Sequence, residues 1–269
     1  MKRPRKTYQY FIIFLLTLMY SCEKEYTWKL KPVDSNQIVV DGILTNENKS
    51  QCIKLSRVNQ EINFGSKPIS GAIVTVTDNT KTISFVESTT LAGSYFSNPI
   101  QGVVGKTYKL KIQYNTDTLF AQATMVPLVT NDSFSISKEN DLYKYNPIFG
   151  TDPVMIEIYY DWSNNQEYSL TYGSTQALVT FYRLNNVDVN KELGSEKETI
   201  YFPLGTKIIR KRYSLTDEHQ AFLRSLLMET EWRGGIFDVQ QGNVLTNISK
   251  GGLGYFGACT VTIDSLIVK

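Results

Sequence analysis

A single histidine, His219, and three cysteines, Cys22, Cys52 and Cys259, are the only imidazole and thiol metal ligands in 269 residues. Clusters of imidazole ligands are thereby excluded, and most acid–base triads that turn on histidine with them. His219 falls in the first turn of a predicted helix with no carboxylate or cysteine spaced for ligation, so a surface or half-buried helix position is expected for it. Long apolar runs are lacking too: residues 11–20 supply only about half of the ~20 apolar residues a membrane-spanning helix needs. Neither a Gly-x-Ser-x-Gly elbow nor an Asp/Asn calcium ladder is found. Carboxylates are scattered; within one strand, Glu157 and Asp161 would stand roughly 13 Å apart at ~3.3 Å per residue, too far for a glycosidase pair. No cofactor, metal site or catalytic residue is expected, and the chain reads as non-enzymatic.

The opening is more informative. Met1-Lys2-Arg3-Pro4-Arg5-Lys6 sets four positive charges ahead of the apolar run, which stops at Ser21-Cys22. Charged, apolar and small-residue zones in that order make a signal peptide over residues 1–21. A small residue followed by cysteine at the end of the run resembles a lipobox, the signal for acylating the cysteine and cleaving before it. Lipid attachment is therefore expected at Cys22, with residues 22–36 as tether, and the membrane as a partner through that lipid. Glu23-Lys24-Glu25 fits either a surface-export signal or a plain solvated tether, which leaves the periplasmic and surface faces of the outer membrane both open.

Cleavage removes four of the 28 Lys and Arg and none of the 26 Asp and Glu, so the formal charge of +2 becomes −2. The basicity belongs to the leader, which argues against nucleic acid as a partner.

The body reads as mainly β. Runs rich in β-branched and aromatic residues at 37–40, 51–57, 73–77, 82–87, 94–97, 108–114 and 119–125, separated by Gly, Asn and Asp, predict an Ig-like β-sandwich over residues 37–126. In the run at 107–114, Tyr108, Leu110 and Ile112 alternate with Lys109, Lys111 and Gln113, as a half-buried strand requires. Beyond Pro127 a β-rich α+β domain, residues 127–269, is expected, with strands at 154–160, 167–172, 177–182, 199–202, 207–213 and 257–261. One amphipathic helix is predicted at 217–228: Thr216 caps it, Asp217 and Glu218 suit its first turn, and Phe222, Leu223, Leu226 and Leu227 form its apolar stripe.

Two regions carry a resemblance to a known family. The first runs from Cys22-Glu23-Lys24-Glu25 through a proline to Gln37-Ile38-Val39-Val40-Asp41-Gly42. The second is Asp238-Val239-Gln240-Gln241-Gly242-Asn243-Val244-Leu245-Thr246-Asn247-Ile248, continuing into Gly251-Gly252-Leu253-Gly254-Tyr255-Phe256-Gly257. With Gly93-Ser94-Tyr95 and Val104-Gly105-Lys106-Thr107-Tyr108 in the middle, the chain resembles the envelope lipoproteins grouped as domain of unknown function 4249. The resemblance implies an envelope lipoprotein with an Ig-like half, from bacteria rich in TonB-dependent uptake. By analogy it implies a binding or scaffold module accessory to such an outer-membrane transporter; the alternative is a surface lipoprotein that captures glycan or peptide itself.

Within the body, Cys52 and Cys259 either form a disulfide or sit as two buried thiols in strands. The run Lys250–Gly257 lacks the Lys-Ser/Thr of a phosphate loop and leads into a strand, so a tight turn or close backbone approach is the expected use of its glycines. Tyrosine and phenylalanine are plentiful, and Tyr159, Tyr160, Trp162, Tyr255 and Phe256 are the candidate binding surface, with core packing as the plainer role of aromatic residues in strands.

Overall fold

The first half of the chain forms eight strands, with apolar–polar alternation clearest in β7: β1 (Ile38–Thr45), β2 (Lys49–Arg57), β3 (Lys67–Pro68), β4 (Ile73–Thr77), β5 (Thr82–Glu87), β6 (Ser94–Ile100), β7 (Thr107–Tyr114) and β8 (Asp117–Thr124). The second half adds β9 (Ile136–Glu139), β10 (Leu142–Tyr145), β11 (Val154–Asp161), α1 (Gln166–Tyr172), β12 (Gln176–Arg183), β13 (Tyr201–Phe202), β14 (Lys207–Ser214), α2 (Asp217–Thr230), β15 (Leu253–Cys259) and β16 (Val261–Ile267). This computed structural model describes residues 36–58, 65–129, 133–147, 152–185, 199–230 and 244–269, all within one unit, Asp34–Lys269. The expected leader at 1–21, Cys22, the tether as far as residue 35 and the motif residues 238–243 lie outside the described residues.

The first sheet runs β15-β1-β2-β6-β5-β4-β7-β8, with β3 attached to β2. It curls until its ends meet. Val126, just after β8, bridges to Cys259 of β15, and Phe120 and Ser249 exchange hydrogen bonds: the Phe120 N–H donates to Ser249 Oγ, and the Ser249 N–H donates to the Phe120 carbonyl, both at 2.8 Å. Inside lies a core that includes Val40, Leu55, Val74, Val76, Leu110, Ile112 and Phe256. Burying each such side chain contributes about 1.5–3 kcal/mol. The seven strands predicted between residues 37 and 125 are all present, and the fold is mainly β as expected.

One tight turn in this sheet is held by charge. Asp78, between β4 and β5, accepts the N–H groups of Thr80 and Lys81 at 3.0 Å and pairs with Lys106 at 2.8 Å. Those bonds, the Lys106 ammonium foremost, hold its carboxyl well below the usual carboxylate range.

β15 comes from the far end of the chain yet pairs parallel with β1, Val40 opposite Gly254 and Leu44 opposite Ala258. The boundary drawn at 126/127 from sequence therefore leaves one strand of the first sheet in the second segment. Its side chains are buried to both sides. Phe256 and Ala258 enter the core of the curled sheet, whereas Cys259 enters a second core with Met155, Tyr213, Leu215, Leu223, Leu227 and Val261. A strand covered on both faces reads as continuous apolar sequence, which is what Tyr255-Phe256-Gly257-Ala258-Cys259 is.

β12-β11-β14-β16 form an antiparallel four-stranded sheet, and β13-β10-β9 a small one. The third core includes Tyr145, Ile156, Ile158, Tyr160, Trp162, Phe202 and Ile208. Helix α2 forms where predicted. The Thr216 hydroxyl accepts the N–H of His219, and the buried face is His219, Gln220, Leu223 and Leu227.

Residues 167–172, expected as a strand, are helical. Tyr168, Leu170 and Tyr172 alternate as strand residues do, but the Asn165 side chain caps the Tyr168 N–H at 3.0 Å and Gly173, at φ 79°, ends the turn. Helical spacing sets Tyr168 and Tyr172 together on the Trp162 ring, at 5.4 and 4.9 Å between centroids, and leaves Leu170 to solvent.

Candidate binding face

The register of the four-stranded sheet sorts its residues into two faces. On β11, Val154, Ile156, Ile158 and Tyr160 turn inward, and Met155, Glu157, Tyr159 and Asp161 turn the other way. Cross-strand partners extend the second set into rows. Met155 lies beside Tyr182 and Tyr213, and this row is packed into the core shared with α2. Next come Thr180, Glu157, Lys211 and Ile263, then Leu178, Tyr159, Ile209 and Ser265, and last Gln176, Asp161, Lys207 and Ile267.

Several of the polar groups in these rows have partners. The Tyr213 phenol donates to Glu157 Oε2 at 2.7 Å, the Tyr159 phenol reaches the same oxygen at 3.5 Å, and Lys211 lies 3.5 Å from Glu47. Burial, with the Glu157 carboxylate beside it, raises the Tyr213 phenol far above its ordinary range. Asp161 accepts the Ser163 N–H at 3.0 Å, which lowers its carboxyl. What remains open to contact is hydrocarbon interspersed with the exposed polar residues Gln176, Lys207 and Ser265. Leu178 (52%), Ile263 (50%), Ile267 (55%) and Tyr159 (37%) are exposed, with Ile209 half-buried between them. Exposed apolar side chains gathered on one face in this way mark an interaction surface more often than a bare exterior.

The five aromatic residues singled out from sequence do not share it. Only Tyr159 is on the face. Tyr160 and Trp162 are buried in the core beneath, where the Trp162 indole donates to the Ser174 carbonyl at 2.7 Å. Tyr255 stacks on His219 and Phe222, at 4.6 and 4.8 Å between centroids, and Phe256 fills the curled sheet. Alternation along a strand explains the split, since adjacent aromatic residues point to opposite sides. Leu178, Ile209, Ile263 and Ile267 were missed. For three of them the signal is adjacency: Leu178-Val179, Ile208-Ile209 and Leu266-Ile267 put apolar groups on both faces of an antiparallel sheet, where one wet face would need alternation; Ile263, between Thr262 and Asp264, carries no such signal.

His219 and Cys259 are the other chemistry-bearing pair. Cys259 Sγ lies 3.7 Å from His219 Nδ1, and both residues are buried. Burial pushes the imidazole down to about 4 and the thiol up to about 12, so both are neutral at physiological pH and no thiolate–imidazolium pair forms. The expected surface or half-buried position of His219 is corrected to a buried one: it lies one and two turns before Leu223 and Leu227 on the same stripe, and Gly257 leaves room for its ring. Cys52 and Cys259 are free thiols, in strands separated by β1. Among the described residues no three of His, Cys, Asp and Glu are grouped to hold a metal ion, and no helix is long and apolar enough to cross a membrane.

The glycines of the 250–257 run serve the backbone. Gly251 and Gly254 have φ of 73° and 82°, and a Cβ on Gly254 would lie 2.0 Å from the Val40 carbonyl oxygen.

A family model described as "Domain of unknown function (DUF4249)" matches residues 23–264. No curated protein matches the sequence. Among solved structures, the crystal structure of chicken CNTN1 FN1-FN3 domains is similar at 9% identity with a TM-score of 0.28, over 66% of this chain and 60% of that one. The chain thus spans less than two thirds of that chain's length.

Proposed function

The chain belongs to the DUF4249 family, and on that premise we propose that it is a lipoprotein of the bacterial outer membrane whose β body is a non-enzymatic binding or scaffold module beside a TonB-dependent transporter. Acyl chains on Cys22 hold it there, each buried methylene adding about 0.8 kcal/mol, so that several chains anchor firmly where one would be marginal. Residues 1–21 are the leader that delivers it.

The observation that carries the binding role is the open face of the four-stranded sheet, where exposed Leu178 and Tyr159 on β12 and β11 are joined across half-buried Ile209 to exposed Ile263 and Ile267 on the edge strand β16. Apolar side chains interspersed with polar ones, with one exposed tyrosine, suit a protein surface. A sugar would call for several exposed rings on which to stack.

Two experiments test the parts separately. Metabolic labelling with a palmitate analogue should mark the wild type and leave Cys22→Ala unmarked; equal labelling of both overturns the anchor. Affinity purification from solubilised outer membranes should recover an integral transporter with the wild type and lose it with Leu178→Asp combined with Ile263→Asp. Recovery of no membrane protein above control overturns the transporter role, and undiminished recovery with the double variant removes this face from it.

A further inference from the structure

β16 is the outermost strand of its sheet; among the described residues its only ladder partner is β14. The Val268 N–H donates to the Thr206 carbonyl at 3.0 Å, and the Gly205 N–H to the Val268 carbonyl at 2.9 Å. This sets the phase of the ladder. Bonded and non-bonded pairs alternate in an antiparallel ladder, so Thr262, Asp264 and Leu266 direct their backbone groups to β14, and Ile263, Ser265 and Ile267 direct theirs to the open edge.

A groove of about 850 Å³ follows this edge. Residues 265–269 all line it, and because neighbours in a strand point to opposite faces, a cavity lined by all of them runs beside the strand and not over one face. Its volume lies within the range of built ligand sites. Ile136, Lys138 and Tyr143 of the small sheet form the far wall, and Lys207 comes up from β14.

The lining carries lysines and no Asp or Glu. The Lys138 ammonium lies 5.9 Å from the Tyr143 ring centroid. Neither Lys138 nor Lys207 forms an ion pair with a described residue. Asp161, the cross-strand partner of Lys207, accepts the Ser163 N–H and feels the Lys207 charge without pairing with it directly. Lysines beside a bare edge repel a second copy of the same edge, which keeps the protein from pairing with itself. The same charges attract a strand of opposite sign.

We infer that this groove takes an acidic, extended peptide segment of a protein partner, which adds to the sheet beside β16. The edge supplies main-chain hydrogen bonds and the lysines select the sequence, as in other strand-addition interfaces. An added strand would also widen the apolar face, because Ile267 belongs to both. The inference rests on the binding-module reading and names the chemistry of its partner.

The test uses the full chain in detergent and a fluorescent short peptide of alternating glutamate and valine, read by anisotropy. The acidic peptide should bind, the corresponding lysine–valine peptide should not, and Lys138→Glu with Lys207→Glu should weaken binding roughly tenfold or more. Ser265→Pro removes only an outward N–H, a change edge strands tolerate, and should weaken binding similarly. Should that variant unfold by circular dichroism, the lysine reversal alone decides. Equal affinity for both peptides, or acidic-peptide binding unchanged by the lysine reversal, overturns the inference. So does binding of dodecanoate, an anionic amphiphile, without binding of the peptide. Peptide binding with no transporter recovered sinks the transporter role and leaves the groove; transporter recovery undiminished by the lysine reversal does the reverse.

Discussion

The side-chain amide of Asn247 lies against Phe256 as a neighbouring strand would: it accepts the Phe256 N–H at 3.0 Å and donates to the Phe256 carbonyl at 2.8 Å. The same nitrogen donates to the Gln122 carbonyl of β8 at 3.1 Å. One side chain thereby stitches the two ends of the curled sheet. Asn247→Asp keeps the acceptor and removes both donors, leaving two carbonyls short of partners, and is expected to cost about 1–3 kcal/mol in urea unfolding. No measurable loss would show that the sheet closes without it.

Gly254 and Gly71 share a positive φ, 82° and 80°, but only Gly254 faces a backbone atom where a Cβ would stand. Alanine at Gly71 is expected to cost ~1–2 kcal/mol, the left-handed penalty alone. At Gly254 the Val40 carbonyl must also move, so the β1–β15 pairing is disturbed and the loss in thermal unfolding should be clearly larger.

Acid should destabilise the fold through His219. Its imidazole is held near 4 by burial against ~6.5 in the unfolded chain, so the unfolded state binds the extra proton between those values. The stability due to neutral His219 is complete above ~6.5 and drains as pH falls towards ~4, by up to about 3 kcal/mol. The difference in unfolding free energy between pH 7 and pH 4.5 should shrink in His219→Phe. Identical pH profiles would remove His219 as the cause.

Arg210, fully buried, grips Asp264 through two bonds, Nε to Oδ1 at 3.0 Å and Nη2 to Oδ2 at 2.6 Å, with the Phe134 ring 4.4 Å beneath. Asp264→Ala removes the carboxylate that Arg210 shares with Arg212 and leaves Arg210 its bonds to the Tyr145 hydroxyl and the Ser133 carbonyl. A loss of about 3–5 kcal/mol is expected; Arg210→Met with Asp264→Leu should recover much of it.

Much of the architecture was legible because local patterns mark it: the alternation of Tyr108, Leu110 and Ile112 announces β7, and the cap at Thr216 announces α2. The errors have physical causes. α1 was misread because Tyr168, Leu170 and Tyr172 satisfy a period of two, and only the Asn165 cap and Gly173 stop mark the helix. β9 and β10 are four residues each and carry Lys and Glu, too short for a pattern to form. Parallel pairing of β15 with β1 leaves no local trace, since it joins segments from opposite ends of the body. The candidate face was half legible: Tyr159 was named, but its neighbours come from three other strands, and register is a property of the fold.

That late-arriving partner imposes an order of events. During synthesis β1 emerges early and its outer edge has no mate until residues 253–259 appear, so the curled sheet cannot close on a nascent chain. Contacts this distant slow folding and prolong the exposure of sticky edges. Completion of this sheet should therefore wait on residues 253–259.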